Sequence, residues 1–172
     1  MKFIMRLGFG LALLGLTGCF MTKDNQLIPT GVQLAKSDLS FCIEDKCDKA
    51  VFSEGRYLIE DSETGTEFSA AFLPLTLANA RQIYLVEFKE NHEADAIYIA
   101  ARLKSPQASK LNEIETVTLS CDMSAAEMKA LGWRSGSILG SCEVTDLDSL
   151  KAVVMQRHAK DFADETWWLE NL

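Results

Sequence analysis

The chain has 172 residues, of which 25 are acidic and 17 basic, giving a formal net charge of −8 at pH 7. That length suits one domain with a real hydrophobic core. An acidic surface offers phosphates no binding field, so nucleic acid and anionic lipid headgroups are poor partners for it.

The N-terminus reads MKFIMRLGFGLALLGLTGC. Lys2 and Arg6 form a short positive region, and the apolar run behind them ends in Leu16-Thr17-Gly18-Cys19. This order is that of an export signal rather than of a folded element. Leu7 to Phe20 is a run of fourteen residues, whereas a helix that crosses the hydrocarbon core needs about 20. A membrane span is therefore disfavoured.

Leu16-Thr17-Gly18-Cys19 resembles the lipobox of bacterial lipoproteins, Leu-x-Gly/Ala-Cys. The resemblance implies that residues 1–18 are a signal peptide removed by a dedicated peptidase. Cys19 would then become the first residue and the lipid attachment site, carrying a diacylglyceryl group and fatty acyl chains such as palmitate. Each buried methylene of such chains contributes about 0.8 kcal/mol of anchoring. Phe20 stands where an Asp would favour inner-membrane retention, which resembles the class sorted to the outer membrane and facing the periplasm. The resemblance covers the leader alone.

Residues 19–38 then read as a lipidated N-terminus and tether, because polarity is mixed around Pro29 and Gly31 and no period holds. Residues 39–172 form the expected globular domain. Ser40 to Ile43 is a short strand, followed by a polar turn at Glu44-Asp45-Lys46. Arg56 to Glu60 is extended, and Asp61 to Gly65 is turn material. Glu67 to Leu75 is extended again, with Pro74 marking a strand end or a sheet edge. Leu77 to Ala80 is a helical turn or a loop. Gln82 to Lys89 is the clearest strand, dense in β-branched and aromatic residues. Ala96 to Leu103 alternates, with Ile97, Ile99 and Ala101 on one side and Tyr98, Ala100 and Arg102 on the other. Strands in this succession make an antiparallel meander with one face on a core.

After the break at Ser105-Pro106-Gln107, Glu113 to Cys121 and Ser137 to Val144 are further strand candidates. Between them, Ser124 and Glu127 form a capping box for a two-turn helix that Gly132 closes. Thr145 and Asp148 open a longer helix to about Lys160, with Leu147, Leu150 and Val154 as its apolar stripe. That stripe is expected on a sheet face made by Tyr84, Val86, Ile97 and Ile99. The fold class that results is α+β: an antiparallel sheet of about five or six strands with C-terminal helices packed on one face.

Beyond Cys19, four cysteines remain: Cys42, Cys47, Cys121 and Cys142. Export places them where disulfides form. Three pairings are possible, and the short segments between them favour Cys42–Cys47 and Cys121–Cys142. Their spacing is not that of a structural zinc site. A catalytic thiol pair at Cys42 and Cys47 is disfavoured too, since Glu44 and Asp45 oppose a thiolate.

Chemistry-bearing motifs are missing: there is no Gly-x-Ser-x-Gly, His-Glu-x-x-His, phosphate loop or dinucleotide fingerprint. His92 and His158 read as surface residues, although Asp161 stands three residues after His158. Trp133 near Glu127, or Trp167 and Trp168 near Asp164 and Glu165, could suggest a sugar groove, but nothing singles out a carboxylate pair. Trp167 and Trp168 fit better as docking residues of the tail or as a partner contact. The expectation is a non-enzymatic envelope lipoprotein with an accessory or structural role through an envelope protein partner, and with no catalytic residues, cofactor or metal. Two alternatives are a small-molecule or lipid-binding module and an unrecognised envelope enzyme.

Overall fold

A computed structural model describes residues 19–23, 26–34, 39–43, 46–62, 64–91, 93, 95–103, 114–137 and 140–171; the side chains of residues 39–43, 46 and 47 lie outside this description. The expected signal peptide 1–18, the expected turn at Glu44-Asp45, His92 and the expected break at Ser105-Pro106-Gln107 also fall outside it.

Among the described residues ten strands form one sheet. They are β1 (Phe20–Lys23), β2 (Leu39–Ile43), β3 (Lys46–Ser53), β4 (Arg56–Glu60), β5 (Glu67–Ala78), β6 (Arg81–Glu90), β7 (Asp95–Leu103), β8 (Ile114–Thr118), β9 (Arg134–Ser135) and β10 (Cys142–Glu143). Among the described residues three helices follow or interrupt them: α1 (Ala125–Ala130), α2 (Leu147–Phe162) and α3 (Glu165–Glu170). The strand order is β2-β3-β4-β5-β6-β7-β1-β10-β9, and β8 also pairs with β7. The far edge of β7 is thus shared: β1 lies along Asp95 to Tyr98 and β8 along Ile99 to Leu103.

The α+β class with C-terminal helices is as expected, but the sheet is larger than five or six strands, and it is mixed. β1 and β10 run parallel, whereas every other ladder is antiparallel. The reason is that residues expected to be a tether supply a strand. Phe20, Met21, Thr22 and Ile28 are all buried, so the N-terminal segment is woven into the fold. The strand expected over Ser137 to Val144 shrinks to Cys142–Glu143, which needs only to pair with β1 and β9.

Local geometry explains several turns. β3 and β4 are joined through Glu54 and Gly55, and β5 and β6 through Asn79 and Ala80, all four with positive φ. Two such residues match the right-handed twist of the flanking strands. Pro74 sits inside β5 rather than at its end, and the β5–β6 register shifts between Pro74 and Thr76. That irregularity absorbs the N–H which proline cannot supply.

The capping box of α1 is present: Ser124 N–H donates to Glu127 Oε2 at 2.7 Å, and Glu127 N–H donates to Ser124 Oγ at 3.3 Å. Gly132 follows with φ +73°. The cap of α2 is Asp146, one residue after the expected Thr145, and its carboxylate accepts from Ser149 N–H at 2.7 Å.

Both faces of the central strands are apolar. One face brings Ala71, Ile83, Leu85, Tyr98 and Ala100 against Leu150, Val154, Phe162 and Trp168 of the helices. The other carries Tyr57, Ala70, Phe72, Val86 and Ala101, with Tyr84 and Ile99 packed beside them. The helices therefore cover the face opposite to the one expected. Alternation fixes which residues share a side, but it cannot say which of two apolar sides the helices take.

Candidate functional site

The register of β5, β6, β7, β1 and β10 aligns Ala71, Glu87, Tyr98, Phe20 and Cys142 in one cross-strand row on the helix face. Glu87 is fully buried in it. A buried carboxylate is costly unless paired and hydrogen-bonded, and here four donors converge on it. Oε2 accepts from Leu27 N–H at 2.7 Å, Ile28 N–H at 3.0 Å and the Tyr98 hydroxyl at 2.7 Å. Oε1 accepts from Arg56 Nη2 at 2.5 Å, while Arg56 Nη1 donates to the Ile28 carbonyl at 2.9 Å. Burial, and then the Glu87 charge, push the Tyr98 phenol far above its ordinary pKa, so it stays a donor. Tyr98 Oη also lies 3.3 Å from the Thr22 hydroxyl. The network is a clamp: the middle of the sheet grips both β1 and the segment after it.

Cys19 stands at the head of this arrangement. It pairs with Ser120 as an isolated antiparallel bridge, and its carbonyl accepts from Cys142 N–H at 3.0 Å. The Met21 carbonyl accepts from Val144 N–H at 2.8 Å. Phe20 meets Trp133 edge-on at 5.9 Å between centroids. At Gly136 a Cβ would collide with Ser141 Oγ and Met21 Sδ, so only glycine lets that backbone approach. The Cys19 residue is 1% exposed, its thiol is unpaired, and burial pushes its pKa up.

A second buried cation fastens the tail. Arg102 Nε donates to Glu115 at 2.6 Å, and its two Nη atoms donate to Glu165 at 3.1 and 2.7 Å. The guanidinium lies over the Trp168 ring, 4.4 Å from its centroid. Trp168 is fully buried and donates from Nε1 to the Phe162 carbonyl at 3.2 Å, which removes it as a partner contact. Trp167 is half-buried against Phe162 and Trp168 and completes the same dock.

Cys121 and Cys142 form a disulfide. Cys42 and Cys47 stand directly opposite in the β2–β3 ladder, but their side chains lie outside the described residues. His158 is buried rather than on the surface, 3.0 Å through Nδ1 from Asp161 and beside the rings of Phe162 and Trp167. Its Nε2 has no hydrogen-bond partner among the described residues. Among the described residues there is also no group of three His, Cys, Asp or Glu side chains arranged to hold a metal.

Between sheet and helices, Phe20, Leu85, Leu150, Phe162 and Trp168 are all fully enclosed. A recess of about 690 Å³ lies outside that layer, over β3 and β4 and the adjoining turns. Its floor is Val51 and Leu58, both exposed and paired across β3 and β4, and Asp48, Lys49, Glu60 and Glu67 edge it.

Glu87, Arg56 and Arg102 were not singled out by sequence pattern, although one signal existed. Glu87 and Arg102 each fall on the same alternating side as apolar neighbours, Ile83 and Leu85 or Tyr98 and Ala100. A lone charge on an apolar side announces a buried pair. Compared with protein-family models, curated proteins and solved structures, the chain matches none.

Proposed function

We propose that this protein is a non-enzymatic envelope lipoprotein, anchored through Cys19, that acts by binding a protein partner. The observation that supports this reading best is the placement of the β3–β4 recess relative to β1. Four strand spacings separate β1 from β4, which at about 4.8 Å each is roughly 20 Å. A domain whose first strand follows the lipidated residue directly would be held close to the bilayer at β1 and would present the recess beyond it. The apolar Val51 and Leu58, edged by three carboxylates and one lysine, suit a protein segment that offers an apolar side chain between basic ones. The large side chains enclosed between sheet and helices, Phe20, Leu85, Leu150, Phe162 and Trp168, favour this over a ligand held between the layers.

A photo-activated cross-linker at Leu58 tests the reading in intact cells. It should capture one envelope protein through a basic segment, and Val51→Asp should abolish the capture. A cross-linker at the exposed Leu169, on α3 and outside the recess lining, should not capture it. Equal capture from both positions, or capture unaffected by Val51→Asp, contradicts the proposal.

A further inference from the structure

We infer that β1 is the closing strap of this fold, entering the slot between β7 and β10 only after Cys19 has been acylated, so that the closed precursor is no longer a substrate. The inference rests on the lipoprotein reading of Cys19. Its physical basis is the burial and the topology of β1.

Transfer of a phospholipid's diacylglyceryl group to a thiol, an alkylation that makes a thioether, requires the sulfur to meet a glycerol carbon at the membrane. The S–C bond forms, the C–O bond to the headgroup phosphate breaks, and the phosphate leaves with the thiol proton. In the closed fold this sulfur belongs to a residue that is 1% exposed, flanked by the buried Phe20 and Met21. The carbonyls of Cys19 and Met21 are already occupied by Cys142 and Val144. The burial that raises the thiol pKa also keeps it protonated and unreactive. A diacylglyceryl group has no room there. In the acylated chain Cys19 must stand outside while Phe20–Lys23 occupies the slot.

The order of the chain gives the strap time to remain open. One wall of its slot is Asp95 to Tyr98 and the other is Cys142 to Val144, so the first strand cannot pair fully until nearly the whole chain has crossed the membrane. Such long-range pairings form late because loop-closure entropy precedes their reward. Closure is then secured by the Glu87 carboxylate, which grips Leu27 and Ile28 immediately after the strap.

The test uses the full-length, uncleaved chain, either folded in detergent micelles or freshly diluted from urea. Alkylation of Cys19 by N-ethylmaleimide, mapped by mass spectrometry, should be at least about 100-fold slower in the folded chain, as expected for a site reached only by local opening. Acylation by envelope membranes supplied with radiolabelled phospholipid should be slowed at least about tenfold by the same opening requirement. Glu87→Gln should raise both rates in the folded chain. Leu27→Pro, which removes one donor to that carboxylate, serves if Glu87→Gln does not fold. Equal rates for folded and unfolded chains overturn the inference, as does rapid alkylation combined with slow acylation. Absence of acylation in both states overturns the lipoprotein reading, while alkylation still reports whether the strap is closed.

Discussion

Replacing Glu87 by Gln keeps the shape of the side chain and removes its charge, which makes it the sharpest probe of the clamp. The carboxylate accepts four hydrogen bonds, three on one oxygen and one on the other. An amide offers a single acceptor oxygen, and its NH₂ must point at either Arg56 or the Leu27 and Ile28 amides, donor against donor. Hydrogen bonds to a charged group contribute about 1.5–3 kcal/mol each, and breaking a buried ion pair from one side costs about 3–5 kcal/mol. The two routes agree on a loss of about 4 kcal/mol, a large part of the roughly 5–15 kcal/mol that holds a domain folded. With a urea slope of about 2 kcal/mol per molar, the midpoint should fall by about 2 M. Tryptophan fluorescence during urea unfolding of the detergent-extracted protein measures it. Adding Arg56→Met to Glu87→Gln should cost less than Arg56→Met alone, because the two share one network. A loss below about 1 kcal/mol for Glu87→Gln would show that the carboxylate is not the acceptor that holds the N-terminal segment, since that is less than one charged hydrogen bond.

Leu150 is fully buried beneath α2, so Leu150→Ala should cost about 2–5 kcal/mol in the same assay; under 0.5 kcal/mol would place α2 elsewhere. Deleting residues 166–172 removes the buried Trp168 and should lower the melting temperature sharply by calorimetry, whereas an unchanged value would mean that the tail does not dock. Hydrogen bonds from Arg102 hold the Glu165 carboxyl below its ordinary value of 4.5, and those from Ser124 do the same for Glu127. A depressed carboxylate pKa stabilises the fold above the unfolded value and loses that contribution as pH falls through the folded one. Stability should therefore drop on acidification below about pH 4.5, where the ordinary carboxylate begins to take up its proton. Glu165→Gln should flatten part of that limb, and an unchanged acid limb would refute the pairing.

Local sequence signals placed the elements whose cause is local. The Ser124–Glu127 box, Gly132, the β-rich run of β6 and the alternation of β7 all appear near their expected positions. What stayed hidden depends on residues far apart in the chain. β1 is four residues long, too short and too uniformly buried to alternate, and it exists because β7 and β10 flank it. β10 likewise has only two residues and borrows its pairing from β1 and β9. The helix face could not be read because Val86 and Leu85 are equally apolar. The odd charges Glu87 and Arg102 marked that face, but only a partner 31 or 13 residues away makes such a charge tolerable. The tail resolved differently. Trp167-Trp168 was legible as a dock or an interface, and the buried Arg102 decides for the dock.

The central claim is that the mature chain begins at an acylated Cys19 followed at once by a strand of the sheet. Intact-mass spectrometry of the protein extracted from cell membranes tests it most directly. The expected result is a chain starting at Cys19 with the added mass of a diacylglyceryl group, and loss of membrane attachment in Cys19→Ser. A soluble product that starts at another residue, or a membrane-bound chain with an unmodified Cys19, would contradict it.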